Sequence, residues 1–259
     1  MPNLPVVNAI WIGPQLGDIQ AACLRSFLRA GHRTVLHCYA APRDVPSGVE
    51  IASAARLLPE SQLTRHRATG SFALFSDLLR YEILRAGLGL YVDCDMFCVR
   101  PMEDEDYIFG WSGPKTLNNA VLKLPPHCPC LLDLCRIGKS RFVPPWFTLR
   151  HRFGLRIRQL FGESAPSIED LPWGVTGPRA LTYYAHKHGI DQHAKNKKVF
   201  YPIDTHEIAL LFDPERALSD LVDPSTVAIH RYNEYFRRRF FQVIPIPPSS
   251  PLGRMLAAQ

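Results

Sequence analysis

The stretch from residue 71 to 95 constrains the fold more than any other. Phe72, Phe75, Leu79, Ile83 and Ala86 recur at helical spacing along 71–86, and Gly87 stops the run. Residues 88–93 follow as an apolar strand-like run that ends in Asp93-Cys94-Asp95. A helix feeding directly into a buried strand is the unit of an α/β sheet, and the same alternation recurs on both sides. Upstream, 6–12 reads as a strand closed by Gly13-Pro14. Residues 18–30 read as a helix through Ile19, Cys23 and Phe27, 34–39 as a strand and 42–46 as a loop. Downstream, 107–111 and 120–124 read as strands, 178–188 as a helix, and 199–203 and 226–230 as further strands. The pattern predicts an open, mixed and mostly parallel sheet of the nucleotide-binding type.

Length and composition permit one domain spanning 1–259, since no linker divides the chain. The 23 prolines cluster at 42–46, 125–129, 144–145 and 245–251, which marks loops and a tail at 245–259. No apolar run approaches the roughly 20 residues that span a bilayer, and the start has no leader-like pattern, so a cytoplasmic protein is expected. Seven cysteines are an odd number scattered in apolar settings, which favours thiols over a disulfide framework. His127-Cys128-Pro129-Cys130, with Cys135 nearby, has some look of a zinc site. It lacks a second pair at finger-like spacing, and packed thiols are the better reading.

The net charge of +6 is unevenly spread. Residues 136–158 contain no Asp or Glu, and their arginines are interleaved with Phe142, Trp146, Phe147 and Phe153. A second basic stretch is 237–241. Such segments suit anionic lipid headgroups or nucleic-acid phosphates, or form a solvated basic face whose aromatics belong to the core. The span 136–165 is expected to be a basic, partly helical insertion.

Asp93 and Asp95 carry the chemistry. On an extended segment they share one face while Cys94 packs the other way, offering hard oxygen ligands for Mg²⁺ or Mn²⁺. Aspartate-nucleophile phosphatases also place Asp-x-Asp after a strand, but near the N-terminus and followed by Thr or Val. Here Met96-Phe97 follows. On the preceding helix Asp77 and Arg80 pair at i, i+3. That pair is either an exposed salt bridge of small worth or a device that holds sugar hydroxyls and a phosphate.

The run Ser76-Asp77-Leu78-Leu79-Arg80-Tyr81, followed by Gly87-Leu88-Gly89-Leu90-Tyr91-Val92-Asp93-Cys94-Asp95, resembles the signature of glycosyltransferases with a DXD sugar-binding region. These include family 32 and related capsular polysaccharide, mannosyl- and galactosyltransferases. Ile10-Trp11-Ile12-Gly13, Asn118-Asn119-Ala120-Val121, Thr176-Gly177-Pro178 and His230-Arg231-Tyr232-Asn233 agree in order, and Leu88-Gly89 departs from the more usual Gly-Gly. The resemblance implies a GT-A, Rossmann-like nucleotide-sugar-binding fold. It also implies Mn²⁺ or Mg²⁺, a UDP- or GDP-sugar donor, and retention at the anomeric carbon.

Position by position, the resemblance implies that Asp93 contacts ribose and sugar, Asp95 binds the metal, and Asp77 and Arg80 hold the donor sugar. Ile10, Trp11 and Ile12 would line the nucleotide pocket, with Trp11 either a base contact or a core residue. Asn119 would meet the donor sugar or the acceptor. His230 would be a further metal or diphosphate ligand or, equally, an ordinary half-buried histidine. The acceptor is expected to be a glycan, a polysaccharide or a lipid-linked molecule, built against 136–165. Asp204 and Glu207 are weaker candidates on the acceptor side, and no carboxylate stands out as a general base. Peripheral contact with an anionic inner membrane surface fits the basic stretches. Two other classes compete: a non-catalytic nucleotide-sugar-binding or scaffolding protein of the same fold, and a basic nucleic-acid-binding protein. The first has no need of Asp77, Arg80, Asp93 and Asp95 together. The second lacks any reading motif, so no nucleic-acid partner is expected.

Overall fold

The computed structural model describes residues 3–137, 143–161, 167–172, 174–233 and 245–258. Its centre is a six-stranded sheet in the order β3-β2-β1-β4-β7-β6. The strands are β1 (Val7–Ile10), β2 (Thr34–Cys38), β3 (Glu50–Ser53), β4 (Leu90–Val92), β6 (Ile108–Gly113) and β7 (Thr116–Lys123). β5 (Met96–Cys98) and β8 (Ala228–His230) form a separate two-stranded ribbon. Strands β3, β2, β1 and β4 run parallel, whereas β7 joins β4 and β6 in antiparallel register. Parallel strands need crossover helices that cover the sheet, and their near-continuous burial follows. Every residue of β1, β2 and β4 is buried.

The crossovers are α1 (Asp18–Arg29) and α2 (Ala73–Arg85). Helix α1 buries Cys23, Leu24 and Phe27 through its apolar stripe. Helix α2 is buried nearly all round: Phe75, Leu79 and Ile83 face the core, and Asp77, Arg80 and Tyr81 are buried too. Its C-terminus is closed by Gly87 at φ +67°, in the left-handed region that favours glycine. Gly89, at φ +118°, lets the chain pass β1 so closely that a Cβ there would sit 2.5 Å from the Val6 carbonyl oxygen. That contact is what admits β4 beside β1.

Helix α3 (Pro129–Arg136) contains the cysteine cluster. The Cys128 sulfur accepts from the Leu131 N–H at its N-terminus, and Cys130 and Cys135 lie in the main core. All seven cysteines are buried as thiols. Helix α4 (Leu149–Leu160) occupies the described part of the basic insertion, and α5 (Pro178–Lys187) packs on β7.

Two expectations change. Residues 199–203 are not a strand: Lys197–Phe200 is a helical turn capped by Asn196, whose side chain accepts from Lys198 N–H. The cap overrides the β-rich composition of Val199, Phe200 and Tyr201. The 245–259 stretch is also more than a tail. Ser250 caps a helix at Pro251–Ala257, which buries Leu252 and Met255 in a cluster with Cys23 of α1. The basic stretch 237–241 lies outside the described residues. Among the described residues no helix is long and apolar enough to cross a membrane.

Candidate active site

The C-terminal end of β4, at the middle of the sheet, delivers Asp93. Its N–H donates to the Ala120 carbonyl of β7 at 2.8 Å. The chain then turns at once, with Met96 N–H donating to the Asp93 carbonyl at 3.0 Å. The two carboxylates are therefore brought together by a turn, not by the alternation of one extended segment as the sequence suggests. Cys94 packs away from them, its thiol donating to the Ile10 carbonyl at 3.3 Å.

The turn leads into β5, where Met96 stands opposite His230 of β8. That register brings a residue far along the chain to the motif: His230 Nε2 lies 3.2 Å from Asp95 Oδ1. Tyr232 follows at φ +52°, a backbone region uncommon for a bulky side chain. The bend it makes directs the Asn233 N–H to Asp95 Oδ2 at 2.7 Å. Burial pushes the Asp95 carboxyl up, but the His230 charge and these hydrogen bonds outweigh it and hold it at about 2. Burial would lower His230; Asp95 reverses this and keeps the imidazole above its ordinary value.

Below this layer lies a buried ionic network on α2. Arg80 Nη2 is 3.1 Å from Asp93 Oδ1 and 3.4 Å from Asp77 Oδ1, while Arg80 Nη1 donates to the Asn119 carbonyl at 2.6 Å. The side chains of Arg80 and Asp77 are only 6% and 9% exposed, so the pair is not a solvated salt bridge. The Arg80 guanidinium also lies over the Tyr91 ring, 4.5 Å from its centroid, and Tyr91 Oη donates to Asp93 Oδ1 at 2.7 Å. Burial opposes the Arg80 charge, yet the carboxylates of Asp93 and Asp77 hold its pKa above the ordinary value.

Asp77 is clamped from the other side. Asn119 Nδ2 donates to its Oδ1 at 2.9 Å and Thr176 Oγ1 to its Oδ2 at 2.7 Å. Burial still leaves its pKa raised. Gly177 makes room for this clamp, because a Cβ there would lie 2.8 Å from both Asp77 oxygens and 2.9 Å from Asn119 Nδ2. Tyr81 Oη donates to the Thr176 carbonyl at 2.7 Å and fixes the segment to α2.

A cleft of about 410 Å³ opens above these layers, lined among others by Asp77, Arg80, Asp93, Asp95, Asn119 and His230. Six of the residues singled out in the sequence therefore converge on one cavity. Ile10, Trp11 and Ile12 are not among its lining residues. Ile10 and Ile12 pack in the core, and Trp11, at the end of β1, donates its indole N–H to the Gln15 carbonyl at 2.9 Å. Asp204 and Glu207 lie at a helix start, with Glu207 accepting from Asp204 N–H at 3.1 Å and Asp204 paired to Lys197.

Tyr91, Thr176, Tyr232 and Asn233 belong to the site without having been assigned roles from sequence. Tyr91 had a signal, since it lies two residues before Asp93 and shares its face of the strand.

Asp93, Asp95 and His230 each offer a ligand atom within 4.8 Å of the others. Two carboxylates and an imidazole at that spacing suit a small divalent cation. The His230 Nδ1 atom, buried and without a hydrogen-bond partner among the described residues, leaves the ring anchored through Nε2 on the ligand side.

Among solved structures, the ligand-free glycosyltransferase domain of the YGT toxin matches with a TM-score of 0.52. The match covers 99% of this chain and 94% of that one at 10% identity. The fold is of the GT-A type. The PaToxG glycosyltransferase matches with a TM-score of 0.47 at 14% identity, over 73% of this chain and 72% of that one. At such identities the likeness is one of fold alone. No protein-family model matches the chain, and no curated protein sequence does.

Proposed function

We propose that this chain is a metal-dependent glycosyltransferase of the hexosyl type, moving a sugar from a UDP- or GDP-sugar to a glycan, polysaccharide or lipid-linked acceptor with retention. One observation carries the reading. A buried network (Asp77, Arg80, Asn119, Thr176) rigidly positions Asp93, next to a second carboxylate and an imidazole, on one cleft at the end of a central parallel strand. Buried ionic groups of this kind cost stability unless fully paired, and ligands of open α/β sheets bind beyond the carboxyl ends of the strands. The likeness in fold to a toxin glycosyltransferase domain supports the same reading. Residues 1–259 are taken as one domain, with 136–165 on the acceptor side.

Asp95, Asp93 and His230 would hold Mn²⁺ or Mg²⁺, with the remaining positions left to diphosphate oxygens. When bound, the cation neutralises charge that develops on the departing nucleoside diphosphate. The chain's own residues do the positioning. Asp93 has 28% of its side chain exposed to the cleft and is fixed by Arg80 and Tyr91, so it meets donor hydroxyls from a set orientation. Asp77 forms the floor, where a sugar hydroxyl would share its carboxylate with Asn119 and Thr176. Arg80 adds positive potential beneath the donor without leaving its buried partners. In a retaining reaction the leaving phosphate oxygen takes the acceptor proton.

A thermal-shift screen of UDP- and GDP-sugars tests this reading, because ligand that binds only the folded state raises its melting temperature. The expected result is stabilisation by one nucleotide class with Mn²⁺ and none by free sugars. No response to any nucleotide-sugar, with or without Mn²⁺, contradicts it.

A further inference from the structure

Helix α4 presents an apolar face left exposed among the described residues. Leu149, Phe153, Ile157 and Leu160 recur at spacings of four, four and three, which places them on one side of the helix, and Phe161 continues that side. Their exposures are 80%, 67%, 37%, 84% and 85%. Of the eight large hydrophobic residues exposed among the described residues, these five fall within 13 consecutive positions, too concentrated for ordinary surface scatter. The opposite side of α4 is anchored. Leu155 packs on a buried cluster of Leu74, Phe147, Leu171 and Val175, and Leu74 also lines the cleft.

The flanks of the stripe are cationic. Arg150 lies along one edge, Arg152 and Arg156 along the other, and none has a carboxylate partner among the described residues. Between residues 136 and 162 the sequence contains no Asp or Glu at all. We propose that α4 is a docking surface for an anionic phospholipid bilayer, its stripe seated among the acyl chains and its arginines on the lipid phosphates. A helix of about 18 Å lying in the interface, with large side chains on one face and arginines at its borders, is the form such contacts take. Arginine stems reach along the apolar surface to bring their forks to phosphate oxygens. Charge decides against a second copy as occupant, because stacking two stripes sets the arginines of one chain against those of the other. A bilayer-borne acceptor would then lie near the cleft rim. That last step rests on the transferase reading; the docking itself does not.

The test is co-sedimentation of the full chain with vesicles of phosphatidylcholine alone or mixed with phosphatidylserine. The wild-type chain is expected to bind the mixed vesicles, weakly or not at all the neutral ones, and less as salt is raised. Replacing Phe153 and Leu160 together by Ser should weaken partitioning on the order of a hundredfold, from two exposed side chains that no longer bury in the acyl region. Changing Arg150, Arg152 and Arg156 to Gln should weaken it by a similar factor, about fivefold per arginine. The melting temperature should stay nearly unchanged in both variants, since Phe153, Leu160, Arg150 and Arg156 are exposed and Arg152 is half-buried without a carboxylate partner among the described residues. Absence of binding to mixed vesicles overturns the proposal. So does binding that the Phe153→Ser, Leu160→Ser variant leaves intact, a concentration-dependent dimer lost in that variant, or RNA that competes fully with vesicles. A chain that binds vesicles but transfers no sugar keeps the docking surface and refutes the transferase reading.

Discussion

Adding one methyl group at Gly177 tests how tightly the donor floor is built. In Gly177→Ala the new Cβ would lie 2.8 Å from both Asp77 oxygens and 2.9 Å from Asn119 Nδ2. Ordinary contacts of that kind need about half an ångström more, so the carboxylate, the amide or the 176–178 segment must move. None moves freely: Asp77 is held by Asn119, Thr176 and Arg80, and Thr176 by Tyr81. Overpacking of this sort costs about 1–3 kcal/mol. Weakening one charge-assisted hydrogen bond to Asp77 adds roughly 1.5 kcal/mol. Gly177 also caps α5, and exchanging glycine for alanine at a cap accounts for only about 1 kcal/mol of any loss. Urea unfolding should therefore show a loss of about 2.5–4.5 kcal/mol, beyond what the cap explains. Transfer should fall by about a hundredfold as the donor shifts by a fraction of an ångström to an ångström. A loss of no more than about 1 kcal/mol with unimpaired transfer would refute the idea that Gly177 is there to admit the Asp77 clamp.

The metal site should respond to pH through His230. Its pKa is raised by Asp95, so a cation must displace a proton to reach the imidazole, and Mn²⁺ affinity measured by calorimetry should fall as pH drops below that raised value. In the metal-free chain the sign of stability is the opposite. The His230 contribution is fully present below about 6.5, the unfolded value, and is lost as pH rises through the folded one, visible as a falling urea midpoint. Tyr91→Phe removes the 2.7 Å hydrogen bond to Asp93 but leaves Arg80 in place, so donor affinity should weaken by roughly tenfold while the fold survives. Unchanged donor affinity would show that Asp93 needs no such orientation. Arg80→Met strands the buried Asp77 and takes the counter-charge from the half-buried Asp93, and should cost about 3–5 kcal/mol in urea unfolding.

The periodic parts of the fold were legible because one force dominates them. The stripe of α2, its glycine stop and the apolar strand after it appear within a few residues of where the pattern puts them. β3 escaped notice because Glu50 and Ile51 are exposed on an edge strand, and its sequence carries little apolar signal. The turn at 197–200 was misjudged because a single cap residue decided it against local β propensity.

At the site, Asp93, Asp95, Asp77 and Arg80 could be found from spacing and resemblance, but their burial could not. An i, i+3 pair reads the same on a solvated helix as on one enclosed by β7 and the 176–178 segment. Tyr232 and Asn233 act through a positive φ and a backbone N–H, neither of which leaves a trace in residue type. His230 became meaningful only through the register of β8 against β5.

The central claim is that Asp95, with Asp93 and His230, holds the cation that engages the donor diphosphate. Calorimetric titration of the preferred nucleotide-sugar into wild type and Asp95→Asn, each with and without Mn²⁺, tests it most directly. Wild type should bind the donor tightly only with Mn²⁺. The variant should bind weakly and equally in both conditions, while its folded signal persists despite loss of the His230 contact. Donor binding by Asp95→Asn that still strengthens on adding Mn²⁺ to the wild-type extent would contradict the account.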